Sequence, residues 1–316
     1  MKTATRLFAA SSILFLFSFL NACHTPSGQD PVRQATDSVV VVHQPLTLPE
    51  LPKTIVFAGE TIHLEDEDIF ERMDRELLVN TYFQSATTQI IKRANRWFPL
   101  IESILHKEGI PEDFKYLAII ESGLVQAVSP AGAEGFWQFM PFTAQEYGLE
   151  ISKEVDERLD VEKSTLAACQ YLKRSKDSLG NWISAAASYN RGIGGVKRDM
   201  AWQQADSYFD AEQNTETGRY VFRLMAMKII LENQTAYGFH IPDASMYKPF
   251  ETKKINIKET IPDLSQWAIH HGINFKILKK LNPWLKANKL TIKNKTYVLL
   301  LPVGATKLKP YKEYLK

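Results

Sequence analysis

One glutamate stands where a core residue belongs. In the segment Pro111-Glu112-Asp113-Phe114-Lys115-Tyr116-Leu117-Ala118-Ile119-Ile120-Glu121-Ser122-Gly123, Phe114, Leu117 and Ala118 lie at i, i+3 and i+4 and form one apolar stripe. Glu121 follows at i+7 of that stripe, so its carboxyl points inward. An inward charge is costly unless it is neutralised or paired. Desolvation raises a carboxyl pKa and keeps the proton on near neutral pH, which is what a general acid needs. The same pattern also fits an inert glutamate half-exposed at a helix end, so the neighbouring motifs carry the decision.

Two such motifs follow. Glu134-Gly135-Phe136-Trp137-Gln138-Phe139-Met140-Pro141 gathers aromatic side chains and an amide around a glycine. Aromatic faces stack on pyranose rings, and an amide both donates and accepts, so the composition suits a sugar cleft. Taken singly, Trp137 and Phe139 fit a hydrophobic core better than a ligand surface. In Ala186-Ala187-Ser188-Tyr189-Asn190-Arg191-Gly192-Ile193-Gly194-Gly195-Val196, small residues permit close helix packing. Tyr189 and Asn190 set hydrogen-bonding groups at its end, and the glycines are expected to turn the chain sharply.

In that order, Glu-Ser, Gly-aromatic-Trp-Gln-x-Met-Pro and Tyr-Asn-x-Gly resemble the lytic transglycosylase family, related to goose-type lysozyme, over about residues 85–235. The resemblance implies a mainly α, lysozyme-like catalytic domain that cleaves the glycan strands of peptidoglycan. It makes Glu121 the single acid/base, with Ser122, Gln138, Tyr189 and Asn190 positioning substrate or intermediate. Tyr220, in Gly218-Arg219-Tyr220-Val221, resembles the family's late cleft tyrosine, and Met140 would line the cleft. The implied reaction breaks the MurNAc–GlcNAc bond without water and leaves a 1,6-anhydro end. Ser188, Ile193 and Gly195 depart from the family's commoner residues, which touches packing and groove shape but not the acid. Glu112 and Asp113 precede Glu121 by about two turns, roughly 12 Å along one helix, too far to serve as its nucleophile. A second carboxylate from Glu134 or Asp156 would instead imply hydrolysis, as in goose-type lysozyme. A catalytically inactive peptidoglycan-binding lipoprotein is the reading from a different class.

These residues need a helical scaffold. Helical periodicity runs from about 60 to 245. Helices are expected over Ser85–His106, with a break or kink at Pro99, and over Phe114–Glu121, Thr143–Tyr147, Val161–Leu179, Trp182–Tyr189 and Thr217–Asn233. An acidic run from Glu65 to Glu71 suits a first helical turn, and Pro111 suits a first helical position. Thr143, Asp160 and Asn181 are candidate N-caps, and Gly123, Gly148 and Gly180 candidate ends. A helical domain over 59–248 follows from this, and the resemblance makes it the catalytic domain.

After Pro249 the pattern changes. Strands near Lys253–Ile257 and Thr296–Leu301 flank helical stretches Asp263–His271 and Asn274–Leu281, a small βααβ module over 252–303. Asp263 to Ile273, Asn282-Pro283 and Tyr297 to Pro302 resemble a lysin motif (LysM), a family that binds N-acetylglucosamine chains. Glu259-Thr260-Ile261-Pro262 replaces the usual Gly-Asp-Thr turn, which leaves sugar binding in question; Trp267 and Trp284 could equally be packing residues.

The N-terminus reads as an address. Lys2 and Arg6 precede an apolar run from Leu7 to Leu20, too short to span a bilayer comfortably. Leu20-Asn21-Ala22-Cys23 resembles a bacterial lipobox, implying a leader over 1–23 and lipid on Cys23 that holds the chain on a membrane without spanning it. A proline-bearing tether is expected over 24–58 and a basic tail over 304–316. His24 after Cys23, in place of an Asp, favours the outer over the inner membrane, with the enzyme facing the periplasm. Lys plus Arg (38) nearly balances Asp plus Glu (36), so nucleic acid is not an expected partner. The seven histidines show no ligand spacing, no metal or other cofactor is expected, and Cys169 reads as a small buried hydrophobe. A monomer is expected.

Overall fold

The computed structural model describes residues 50–303 and 309–314, all within one unit from Thr47 to Lys316. The expected leader with Cys23, the tether up to residue 49 and much of the basic tail lie outside those residues. The tether ends sooner than 58. Thr54–Phe57 (β1) pairs antiparallel with Glu60–His63 (β2) around a turn at Ala58 and Gly59. Ile55, Phe57 and Ile62 face inward, and the Phe57 ring meets Phe114 edge-on at 5.6 Å. The prolines at 45, 49 and 52 obscure this period-two alternation in the sequence.

Glu67–Tyr82 (α1) starts at Asp66, whose carboxylate accepts from the Ile69 N–H at 3.0 Å, with Glu67 and Asp68 in the positive first turn. Gln84–Lys107 (α2) runs through Pro99 instead of breaking there. The ring removes one intrahelical bond, but Ile91 and Ala94 before it and Ile101, Ile104 and Leu105 after it are buried, and that packing holds the helix. A 3-10 turn, Glu112–Phe114, leads into Lys115–Ser122 (α3), so Pro111 sits just before the first turn, not in it. Pro141–Glu146 (α4) opens on Pro141 with Met140 as cap, two places before the expected Thr143.

Val161–Leu179 (α5) is bounded by the Asp160 cap and Gly180, and Trp182–Arg191 (α6) starts at Asn181. The glycines after α6 do not merely turn the chain: a new helix, Ile193–Gln203 (α7), begins directly after Gly192. Thr215–Glu232 (α8) is the axis of the domain. Val221, Phe222, Leu224, Met225, Ala226, Met227 and Ile230 cover its whole circumference, so it must be surrounded, and it packs against α1, α3 and α6. On α6 every residue from Ile183 to Ser188 is buried, and Ala185, Ala186 and Ala187 let its neighbours come close.

The C-terminal βααβ unit is present as Thr252–Ile257 (β3), Leu264–His270 (α9), Phe275–Leu281 (α10) and Tyr297–Pro302 (β4). β3 and β4 pair antiparallel from Thr252 opposite Pro302 to Ile257 opposite Tyr297. Asn282, fully buried, donates to the carbonyls of Leu278 and Leu300 (both 2.9 Å) and accepts from the Leu300 N–H (2.8 Å), stitching α10 to β4. Trp284 is buried in this core and Trp267 packs at its edge. The unit is not self-contained: Val155 and Leu159, from the segment before α5, belong to the same apolar core.

Candidate active site

Glu121 occupies the last turn of α3. Leu117, Ala118 and Ile119 anchor that helix in the core, and Gly123, at φ +61°, ends it with an N–H bond to the Ile119 carbonyl at 2.7 Å. Only a residue without Cβ takes that left-handed cap freely. The Glu121 carboxyl is half-buried. Desolvation pushes its pKa up to about 7; a hydrogen bond from Tyr220 and the Arg223 charge oppose the rise, and Glu216 adds to it. Tyr220, buried on α8, donates to Glu121 Oε1. Its own pKa lies well above the usual tyrosine value through burial and the nearby carboxylate, so it stays a donor. When Glu121 is protonated, Oε2 is left to carry the proton.

Tyr189 comes from α6. Burial, then the Glu121 charge, raises its pKa strongly, so the two groups feel one another. Its hydroxyl donates to the Trp137 carbonyl at 3.0 Å, and its ring meets Tyr171 edge-on at 5.1 Å and Phe139 at 6.2 Å. Asn190 accepts from the Thr217 hydroxyl at 2.7 Å, which joins α6 to α8 and leaves its NH2 group without a partner among the described residues. Ser122 is held by main chain: its Oγ lies 3.0 Å from the Ala118 carbonyl and 2.9 Å from that of Phe136. Gln138, at φ +47°, donates to Gly135 O (2.8 Å) and Ala127 O (3.0 Å), so only Oε1 remains open. Met140 is exposed beside it, and Phe142 more so. Trp137 and Phe139 are core, the Trp137 indole donating to Thr165 Oγ1 at 2.9 Å.

Thus Glu121, Tyr220 and Tyr189 converge, and Ser122 and Gln138 brace the loop beside them. Two features are not apparent in the sequence reading. Arg223, one turn beyond Tyr220 on α8, contributes charge at Glu121; the i, i+3 relation to Tyr220 is its only local signal. Arg158, 4% exposed, grips Asp156 through two bonds (3.0 and 2.7 Å), meets Glu134 at 3.2 Å, and donates to the carbonyls of Gly132 (2.8 Å) and Phe139 (3.1 Å). Both candidate second carboxylates are therefore committed to one guanidinium. Asp113 is committed too, to Lys228 at 2.5 Å and the Ala58 N–H at 2.7 Å.

Residues 99–213 match the transglycosylase SLT domain, and residues 253–305 match the soluble lytic transglycosylase C-terminal LysM-like domain. The chain thus carries an SLT domain followed by a LysM-like domain. It is 27% identical over 262 residues to membrane-bound lytic murein transglycosylase D of Escherichia coli K12, covering 80% of this chain and 56% of that protein. The chain therefore spans about half the length of that curated relative. A putative tributyltin chloride resistance protein of Alteromonas sp. strain M-1 is 32% identical over 133 residues, 41% of this chain and 63% of that protein. Among solved structures, the 70 kDa soluble lytic transglycosylase of Escherichia coli overlaps 49% of this chain and 27% of its own at TM-score 0.39 and 22% identity.

Proposed function

We propose that this protein is a peptidoglycan lytic transglycosylase that cleaves the β-1,4 bond between MurNAc and GlcNAc with Glu121 as its single acid/base. The observation that carries this reading is a carboxyl with its pKa raised to about 7, set against Tyr220, while Glu134 and Asp156 are both spent on Arg158. In the forward step Glu121 gives its Oε2 proton to the bridging oxygen as the bond to MurNAc C1 breaks. The substrate's own N-acetyl oxygen supports the cationic C1, in place of the second carboxylate most glycosidases use. Glu121, now a carboxylate steadied by Tyr220, takes the proton of the MurNAc 6-hydroxyl as that oxygen bonds to C1. A 1,6-anhydro end results, no water is consumed, and Glu121 is protonated again. In this reading Gln138 Oε1, the Asn190 NH2 and Tyr189 hold the sugar, Met140 borders the cleft, and Ser122 acts through the loop it braces.

The same reading places the chain in the cell envelope, held at a membrane by lipid on Cys23 and facing the periplasm, with the outer membrane favoured. No helix among the described residues is long and apolar enough to cross a membrane. The mass of fragments released from purified sacculi tests the chemistry. Anhydro ends, one water lighter than hydrolysed ends, support it; reducing MurNAc ends would transfer the assignment to a goose-lysozyme-like hydrolase.

A further inference from the structure

The LysM-like module is joined to the catalytic loop by an unbroken series of contacts. The segment 150–159 is its docking edge. Val155, 1% exposed, and Leu159 sit in the module's apolar core. Asp156 donates its N–H to the Trp284 carbonyl at 2.9 Å, and Lys286 donates its N–H to the Glu154 carbonyl at 2.8 Å. The Glu154 carboxylate accepts from the Thr291 N–H at 2.8 Å and its hydroxyl at 3.2 Å. Tyr297 donates to Glu150 at 3.0 Å. The module is therefore gripped by main chain, by side chains and by shared core.

From that edge the contacts run inward. Asp156, whose main chain is fixed by Trp284, holds Arg158 in two bonds. Arg158 holds the carbonyls of Gly132 and Phe139 and the Glu134 carboxylate, that is, both ends of the loop bearing Gln138. Lys286 of the module reaches Glu134 directly at 3.4 Å. The same loop offers the Trp137 carbonyl that fixes the Tyr189 hydroxyl. Gly135 lies so close to Arg158 that a Cβ there would stand 2.1 Å from its carbonyl oxygen. A packed, fully bonded network of this kind transmits displacement because its parts cannot shift independently.

We propose that the LysM-like module is a brace for the catalytic loop, with Asp156 and Arg158 as positioning residues that carry its docking to Tyr189 and Glu121. The effect on turnover rests on the reading of Glu121 as the acid; the mechanical link does not. The consequence is specific: loosening the junction frees the loop over 132–139, lets water reach Glu121 and lowers its titration midpoint.

Hydrogen–deuterium exchange of the full chain, read by mass spectrometry, tests this in Glu154→Ala, Val155→Ala and Arg158→Lys, with exposed Ile269→Ser as control. The brace requires exchange over 132–139 to rise at least tenfold in all three folded variants and to stay unchanged in the control. Titration of the labelled Glu121 carboxyl by NMR should show its midpoint at least one unit more acid, and Glu154→Gln, which keeps one acceptor for Thr291, should restore part of both effects. If Val155→Ala does not fold, Glu154→Ala, at a half-buried position, decides. Exchange over 132–139 within twofold of wild type, with the module's own amides accelerated, would overturn the proposal. A wild-type chain without turnover on sacculi would remove the proposed function yet leave the exchange result decisive for the brace.

Discussion

Tyr220 donates its phenolic hydrogen to Oε1 of Glu121 across 99 residues of chain, from the central helix α8 to the last turn of α3. A donated hydrogen bond favours the ionised carboxyl, so it holds down a pKa that burial pushes up. Tyr220→Phe should therefore raise the Glu121 midpoint above about 7 and move the basic limb of the kcat/KM–pH profile upward. It should also slow turnover on sacculi by roughly ten- to a hundredfold, the value of one hydrogen bond to a charged group. A pH-rate series on both proteins checks the sign and the size.

The raised pKa of Glu121 has a stability signature. The folded state binds this proton more tightly than the unfolded chain, so its contribution is complete below the ordinary value of 4.5 and is lost as pH rises through about 7. Glu121→Gln carries no such proton. Its stability should match wild type at pH 4 and exceed it at pH 8, by up to roughly 3 kcal/mol at 1.36 kcal/mol per pKa unit, with a correspondingly higher melting temperature. Thermal melts of both proteins at the two pH values decide this.

What the sequence discloses here is what is local. Asp160 and Gly180 bracket α5 because a cap and a left-handed end are written in adjacent residues. The stripe of Phe114, Leu117 and Ala118 turns Glu121 inward for the same reason. The glycines after Asn190 conceal α7, since breakers at a helix start look like a turn. The helix continues through Pro99 because tertiary burial on both sides of it outweighs one lost bond. The Arg158 contact with Glu134 and the loan of Val155 to the C-terminal core join segments far apart in sequence and leave no periodic trace.

Gly135 should tolerate no side chain. Its φ is +87°, and an added Cβ would collide with the Arg158 carbonyl oxygen at 2.1 Å. Gly148 has a similar φ of +80° but open space around it. Gly148→Ala should cost about 1 kcal/mol from backbone strain alone, whereas Gly135→Ala should cost more than about 3 kcal/mol or prevent folding. Urea unfolding of the pair separates strain from collision.

Cys169 lies wholly buried in α5, and burial pushes its thiol up to about 12. It should resist iodoacetamide at pH 8 in the native protein and react only after unfolding in denaturant, since the thiolate is the reacting form. Mass spectrometry of labelled native and denatured samples gives the comparison.

The rate at which Glu121→Gln releases soluble fragments from purified sacculi bears most directly on the account. A folded variant that melts no lower than wild type yet is slower by roughly two orders of magnitude or more is the expected result. Release at the wild-type rate would mean that another group supplies the proton.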